Sequence, residues 1–92
     1  MEIKVIYSKE SNRSVGLDGE KEIGVCAVSL KDGAWVIETT KVDEAYGGMG
    51  IAKRLVLAVV EAARAEGAKI IPVCSYAKHV LDGKEEFLDV LA

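Results

Sequence analysis

The sequence has few of the features that mark membrane, metal-binding or nucleic-acid-binding proteins. No uninterrupted apolar run reaches the roughly 18 residues of a membrane-spanning helix, and residues 1–10 lack the apolar segment of a signal peptide. Twelve basic and 15 acidic residues give a net charge of −3, which disfavours a nucleic-acid-binding surface. One histidine, and two cysteines without a CxxC pair, predict no metal site. We therefore expect a protein that works without nucleic acid, membrane or metal.

Cysteine and proline are also scarce. Cys26 and Cys74 are far apart in a sequence that otherwise does not look secreted, so we interpret both as reduced thiols and expect a cytoplasmic protein. Half of the residues are hydrophobic and 29% are charged, a composition typical of a globular protein. Ninety-two residues without an evident repeat or linker predict one domain over 1–92.

The first half of the chain has the pattern of an antiparallel sheet. Apolar residues alternate over 2–8, and residues 23–30 and 34–42 are rich in apolar and β-branched side chains. Asp18-Gly19 and Lys31-Asp32-Gly33 are strong tight-turn signals between these segments. Three or four antiparallel strands are predicted.

The second half changes to the period of a helix. Apolar residues recur at helical spacing from Gly50 to about Glu66, and Gly67 marks the end of the helix. Residues 69–75 then predict a short buried strand, in which Pro72 indicates a sheet edge or a break in the ladder. Two short helices are expected to follow, in 75–81 and 84–92. The fold class is α/β (α+β), with a mostly antiparallel sheet and one long central helix.

Three glycines in "YGGMG" stand immediately before the long helix and suggest an anion site. A dinucleotide-binding GxGxxG that starts at Gly48 would need glycine where Lys53 stands, and a P-loop ending is absent. The capping positions, Gly48, Met49 and Gly50, offer no side chain that would compete for the first helical amides. A pyrophosphate fits such a helix start, with Lys53 and Arg54 adding positive charge. The alternative is that the glycines only make a sharp turn.

The stretch "VDEAYGGMGIAKRLVLAVVEAARAEGAKIIPVCSYAKHVL" resembles the Gcn5-related N-acetyltransferases, and more narrowly their minimal branch of roughly one hundred residues. The pyrophosphate motif of this family, Gln/Arg-x-x-Gly-x-Gly/Ala, falls on residues 47–52. Its Gly-x-Ala half matches, while Gly47 replaces the leading Gln/Arg. The segment "IIPVCS" matches the Pro-x-Cys strand of the branch. The resemblance covers about residues 12–82.

The resemblance implies an acetyl-CoA-dependent N-acetyltransferase with a GNAT-like core. It implies that coenzyme A lies between the strand 36–42 and the strand 70–74, and that Cys74 lies beside the acetyl group as a nucleophile or a bystander. The implied partner is an amine, on a small molecule or on a protein lysine or N-terminus, and we expect a monomer or weak homodimer. The implied coenzyme-binding residues are Val42, Gly47, Gly48, Met49, Gly50, Ile51, Ala52, Lys53, Arg54 and Ser75.

Two departures from the family pattern keep alternatives open. Thr39 stands where the branch usually has histidine, and "GKEEF" replaces a His-Pro-Glu-Tyr-like segment, so two groups that could move protons are missing. Tyr76 could protonate the leaving thiolate and His79 could act as a base, although packing explains Tyr76 better and solvation explains His79 better. The alternatives are an acyl-CoA-binding module with weak catalysis and a structural or interaction domain without a ligand.

Overall fold

A computed structural model describes residues 2–92 as one five-stranded sheet covered by a long helix. The strands lie in the order in which they occur in the chain. The first three pairs of neighbours are antiparallel and the last pair is parallel. This confirms the predicted α+β class with a mostly antiparallel sheet, and the four strands β1 to β4 agree with the expected three or four. The elements are β1 (Ile3–Ser8), β2 (Arg13–Asp18), β3 (Lys21–Lys31), β4 (Ala34–Val42), α1 (Ile51–Glu66), β5 (Lys69–Pro72) and α2 (Ser75–Leu81).

The two predicted hairpin turns are present. Asp18 pairs with Lys21 across the first turn, in which Gly19 has φ +65°. Asp32 and Gly33 in the second turn have φ +51° and +82°, the left-handed values that tight hairpins require. Turn chemistry therefore sets the register next to the two turns, and irregularities between Gly16 and Leu17 and between Ala27 and Val28 shift it further along the ladders.

Helix α1 packs closely on one face of the sheet because glycines stand beneath it. A Cβ atom added at Gly24 would lie 3.1 Å from Leu55 Cδ1, and one at Gly16 would lie 3.5 Å from Ile51 Cγ2. The helix begins after Gly50 and ends before Gly67, as predicted. Its buried face consists of Ile51, Leu55, Val56, Val59, Val60 and Ala63.

Strand β5 forms one side of the sheet, as Pro72 predicts, and the C-terminal residues cover its outer edge. The Ile70 amide donates to Val90 and the Ala92 amide donates to Ile70. The expected helix over 84–92 is reduced to a 3-10 turn at Glu85–Phe87 and the turn residues 88–90, because the chain then forms a β-bridge from Leu91 to Ile70 of β5.

A cluster of charged groups joins this C-terminal segment to α1. Arg64 Nε lies 2.8 Å from Asp89 Oδ2, and its Nη2 donates to Asp89 Oδ1 at 3.0 Å and to the Glu86 carbonyl. In residues 2–92 there is no helix with the length and apolar character needed to cross a membrane.

Candidate active site

The glycine loop, residues 47–50, has a backbone conformation that places amides side by side. Gly48 and Gly50 have φ +76° and +74°, and Gly50 is the residue that precedes the first turn of α1. A left-handed residue followed by a right-handed helical residue turns successive N–H groups toward one point, an arrangement that binds anions. No side chain caps this end of α1. Because added Cβ atoms at Gly48 and Gly50 would meet nothing within 4 Å, the loop faces open space.

The amides of residues 48–53 have no hydrogen-bond acceptor in the part of the chain that the structure describes. The first α1 bond runs from the Arg54 amide to Gly50, whereas the Gly47 amide already donates to Glu44 at 3.0 Å. The amides that are free to bind an anion are therefore those of residues 48–53, one residue further along the chain than the predicted 47–52. Ile51 contributes only its backbone here, because its side chain is 2% exposed in the core.

The two basic residues at this helix start have different surroundings. Lys53 is exposed, and within residues 2–92 its amine makes no ion pair or hydrogen bond. Arg54 Nη2 instead donates to the backbone oxygen of Ile3 at 2.9 Å. Of the two, Lys53 has the side chain that is free to reach a ligand at the loop, while Arg54 contacts the sheet.

A gap opens between β4 and β5 where their parallel ladder ends. The last register pair of the two strands is Ile37 with Pro72. The amides of Val73 and Cys74 then both donate to the Ile37 oxygen, at 3.0 and 3.1 Å, which ends the parallel ladder. Strand β4 continues through residues 38–42 without a β5 partner, and on its other side residues 39–42 pair with β3, while Glu38 lies at a register shift of the β3–β4 ladder. An unpaired strand edge inside a fold is a ready acceptor for an extended chain with amide groups.

Cys74 lies at the closed end of this gap, directly before α2. Its Sγ is 3.6 Å from Thr40 Oγ1, and the same hydroxyl is 3.5 Å from the sulfur of Cys26 in the core. Burial tends to raise the pKa of the Cys74 thiol, but the amides of Ala77 and Tyr76 and the Thr40 hydroxyl outweigh it, so that this pKa is lowered from its ordinary value. Burial raises the pKa of Cys26 instead. Cys74 is therefore the better nucleophile of the two thiols.

Comparison with known proteins agrees with this arrangement. A sequence model described as GCN5-related N-acetyltransferase matches residues 13–90, which is most of the chain. The chain belongs to the GCN5-related N-acetyltransferase family. Family and fold together imply acetyl transfer. A comparison with curated proteins gave no match.

Solved structures of this family show the same fold. A GCN5-like protein from Staphylococcus aureus has a TM-score of 0.72 and 33% identity, over 99% of this chain and 87% of its own. An acetyltransferase from Trypanosoma brucei has a TM-score of 0.56 and 26% identity, over 73% of this chain and 54% of its own. The ribosomal-protein-S18-alanine N-acetyltransferase of Escherichia coli shares the fold with a TM-score of 0.64 at 10% identity, over 79% of this chain and 50% of its own. The chain thus spans about half the length of the last two.

This acetyltransferase-family chain also has a cavity of about 390 Å³ between α1 and α2. Lys53 from the first turn of α1 is part of its wall, and so are Tyr76 and His79. The two rings lie 6.5 Å apart at 42°. The remaining implied residues frame the gap: Val42 ends β4 next to the loop, and Ser75 follows Cys74.

Sequence reasoning missed two residues that shape this family site. Thr40 contacts Cys74, and Tyr46 donates from its Oη to Asp18 Oδ2 at 2.5 Å just before the glycine loop. A signal for Tyr46 was available: an aromatic residue in an otherwise polar loop indicates an anchor in the core. No comparable signal marks Thr40, because its contact depends on how far β5 pairs with β4.

Proposed function

We propose that this chain is an acetyl-CoA-dependent N-acetyltransferase that moves an acetyl group to an amine. The observation that carries the proposal is the gap between β4 and β5, which leads from the thiol of Cys74 along residues 38–42 to the unpaired amides of residues 48–53. An acyl-pantetheine arm is extended, contains two amide groups and ends in a pyrophosphate. Its thioester end matches the position of Cys74, its amide groups match the unpaired edge of β4, and its pyrophosphate matches the loop amides.

The loop amides hold the pyrophosphate in this proposal. Their N–H groups carry the positive end of the α1 dipole, and Lys53 adds a mobile charge at the same place. Gly47 shapes the turn and does not contact the anion, because its amide already donates a hydrogen bond to the Glu44 oxygen. The cavity beside Lys53 and Tyr76 is large enough for the nucleotide end of the ligand.

The β4 edge binds the pantetheine arm through backbone groups. Residues 39–42 already pair with β3, so their outward-facing N–H and C=O groups are fixed before a ligand arrives. Val42 lies at the pyrophosphate end of this edge, and Ser75 lies beside the acetyl end. The extended pantetheine arm takes the place of a strand on this edge and forms the hydrogen bonds that β5 does not supply.

Cys74 is the nucleophile of the proposed reaction. Its thiolate attacks the acetyl carbonyl carbon, the bond from that carbon to the coenzyme sulfur breaks, and the departing thiolate takes the proton that Cys74 has lost. The amine then attacks the Cys74 thioester, so that the acetyl group ends on nitrogen and the thiol is restored. Thr40 and backbone amides hold the Cys74 pKa below its ordinary value, which favours the thiolate at a site where Thr39 replaces the usual histidine of the branch.

An amine acceptor agrees with the acidic charge of the chain. A net charge of −3 favours a cationic molecule over an anionic one near the protein. Both small amines and protein lysines or N-termini satisfy this chemistry, and an acceptor screen with both classes separates them.

Two measurements test the proposal separately. Calorimetric titration with coenzyme A measures binding, and the expected result is one site per chain; no heat at millimolar ligand would overturn every reading that includes coenzyme A. Intact mass after incubation with acetyl-CoA alone measures the chemistry. We expect a single added acetyl group that is absent in Cys74→Ala, with a rate that rises with pH toward the lowered thiol pKa. Binding without this adduct, and without transfer to any amine, would leave only the binding module.

A further inference from the structure

The glycine loop is held to the sheet at both ends, and both contacts reach the same register pair. Tyr46 immediately precedes the loop and donates from Oη to Asp18 Oδ2 at 2.5 Å. Arg54, in the first turn after the loop, donates from Nη2 to the oxygen of Ile3 at 2.9 Å. Ile3 and Asp18 are register partners at the end of the β1–β2 ladder. Two side chains from opposite sides of the loop therefore converge on one point of the sheet.

Between these two contacts, the loop itself makes only two backbone hydrogen bonds within residues 2–92, from the Gly47 amide to Glu44 and from the Arg54 amide to the Gly50 oxygen. Residues 47–50 are all exposed, whereas Tyr46 is 9% and Ile51 is 2% exposed. Three of those four residues are glycine, which has the largest backbone freedom to lose when a loop is ordered. The positions of the loop amides therefore depend on the contacts at its two ends.

We infer that Tyr46 and Arg54 are positioning residues, which hold the two ends of the glycine loop on the Ile3–Asp18 pair so that the loop amides are arranged before an anion binds. The inference rests on the proposed function for its ligand. In this inference Arg54 acts by holding the loop to the backbone of β1, and Lys53 is the side chain that contacts phosphate. A preorganised loop loses less entropy on binding, so the two contacts increase affinity without touching the ligand.

The test combines a ligand-free measurement with a binding measurement. Backbone ¹⁵N order parameters of Gly48 and Gly50 report loop motion on the picosecond-to-nanosecond timescale. Calorimetry with coenzyme A at low and high salt reports affinity and its charge dependence. The variants are Tyr46→Phe and Arg54→Met, which remove the donors and keep most of the side-chain packing.

In both variants we expect lower order parameters and coenzyme A binding weakened by about five- to tenfold, with the salt dependence of the wild type. Asp18→Asn keeps an acceptor for Tyr46 and should resemble the wild type, whereas Asp18→Ala should resemble Tyr46→Phe. Lys53→Met should weaken binding, reduce its salt dependence and leave the order parameters unchanged.

Tyr7→Phe is the matched control, because the Tyr7 hydroxyl is buried and makes no hydrogen bond within residues 2–92. It should change neither measurement. Unchanged order parameters and affinity in Tyr46→Phe would overturn the role of Tyr46, and a reduced salt dependence in Arg54→Met would make Arg54 a phosphate contact. If the wild type does not bind coenzyme A but Tyr46→Phe still lowers the order parameters, the positioning role of Tyr46 stands. The proposed function would then be overturned instead.

Discussion

Replacing Gly50 by aspartate separates the stability of α1 from the binding of an anion at its start. Gly50 is exposed, has φ +74°, and leaves room for a side chain, because an added Cβ would contact nothing within 4 Å. Aspartate tolerates left-handed backbone better than most residues, and its carboxylate satisfies one free amide and the helix dipole. The strain and the capping gain are each about 1 kcal/mol and oppose each other, so the free energy of unfolding should change by less than about 1 kcal/mol.

The same carboxylate stands where a pyrophosphate has to bind. At a separation of about 5 Å, repulsion from each phosphate charge costs about 1–3 kcal/mol for effective dielectric constants between water and a protein surface. Two phosphate charges therefore cost about 2–6 kcal/mol, which weakens binding by at least about 30-fold.

Gly50→Asn is the matched control because it has the same shape and left-handed tolerance without the charge. The assay is calorimetric titration of both variants with coenzyme A, beside thermal unfolding of the ligand-free proteins. We expect closely similar melting temperatures, near-wild-type binding by the asparagine variant within a few-fold, and at least 30-fold weaker binding by the aspartate variant, as about two phosphate charges require. Equal affinities of the two variants would refute the reasoning and place the anion elsewhere.

Three other predictions concern the core, the thiol and the C-terminal segment. Leu55→Ala, at a fully buried position above the glycines of the sheet, should lower the free energy of unfolding in urea by about 3 kcal/mol, whereas Leu88→Ala, at a position that is 63% exposed, should change it by less than about 0.5 kcal/mol. The alkylation rate of Cys74 should rise at a lower pH in the native than in the unfolded protein, because the pKa of the thiol is lowered in the native state. Ionisation of Cys74 therefore stabilises the fold above the ordinary thiol pKa, and this contribution is lost as the pH falls through the native pKa. Identical pH profiles would contradict this. Arg64→Ala should lower the melting temperature by about 2–5 °C and speed exchange of the Ile70 amide, because the bond to Asp89 joins the C-terminal segment to α1, and unchanged exchange would show that β5 alone holds that segment.

Local sequence signals predicted most of the fold. Asp32-Gly33 and Gly67 specify a hairpin and a helix end through backbone conformations that few other residues adopt, so their effect does not depend on distant contacts. The period of the apolar residues then gave the face that α1 buries. Residues 84–92 were harder to predict, because their helical pattern is overridden by hydrogen bonds to β5.

The candidate site was only partly predictable. The glycine loop was evident because the function proposed for it depends on backbone amides, and the sequence shows that no side chain caps them. The environments of Arg54 and Cys74 were not evident, since one depends on the start of β1 and the other on Thr40 across the gap. Contacts of this kind follow from the register of paired strands, which a single sequence does not specify at the level of individual atoms.

The central claim is that coenzyme A lies in the gap between β4 and β5 with its pyrophosphate on the glycine loop. An amide-resolved NMR titration with coenzyme A tests it most directly, because the proposed contacts are largely backbone N–H groups. The expected shifts are concentrated in residues 38–42 and 48–53 and at Cys74, and they saturate together with one dissociation constant. Shifts confined to the outer face of the sheet, around Ile71 and Val73, or no shifts at saturating coenzyme A, would contradict the account.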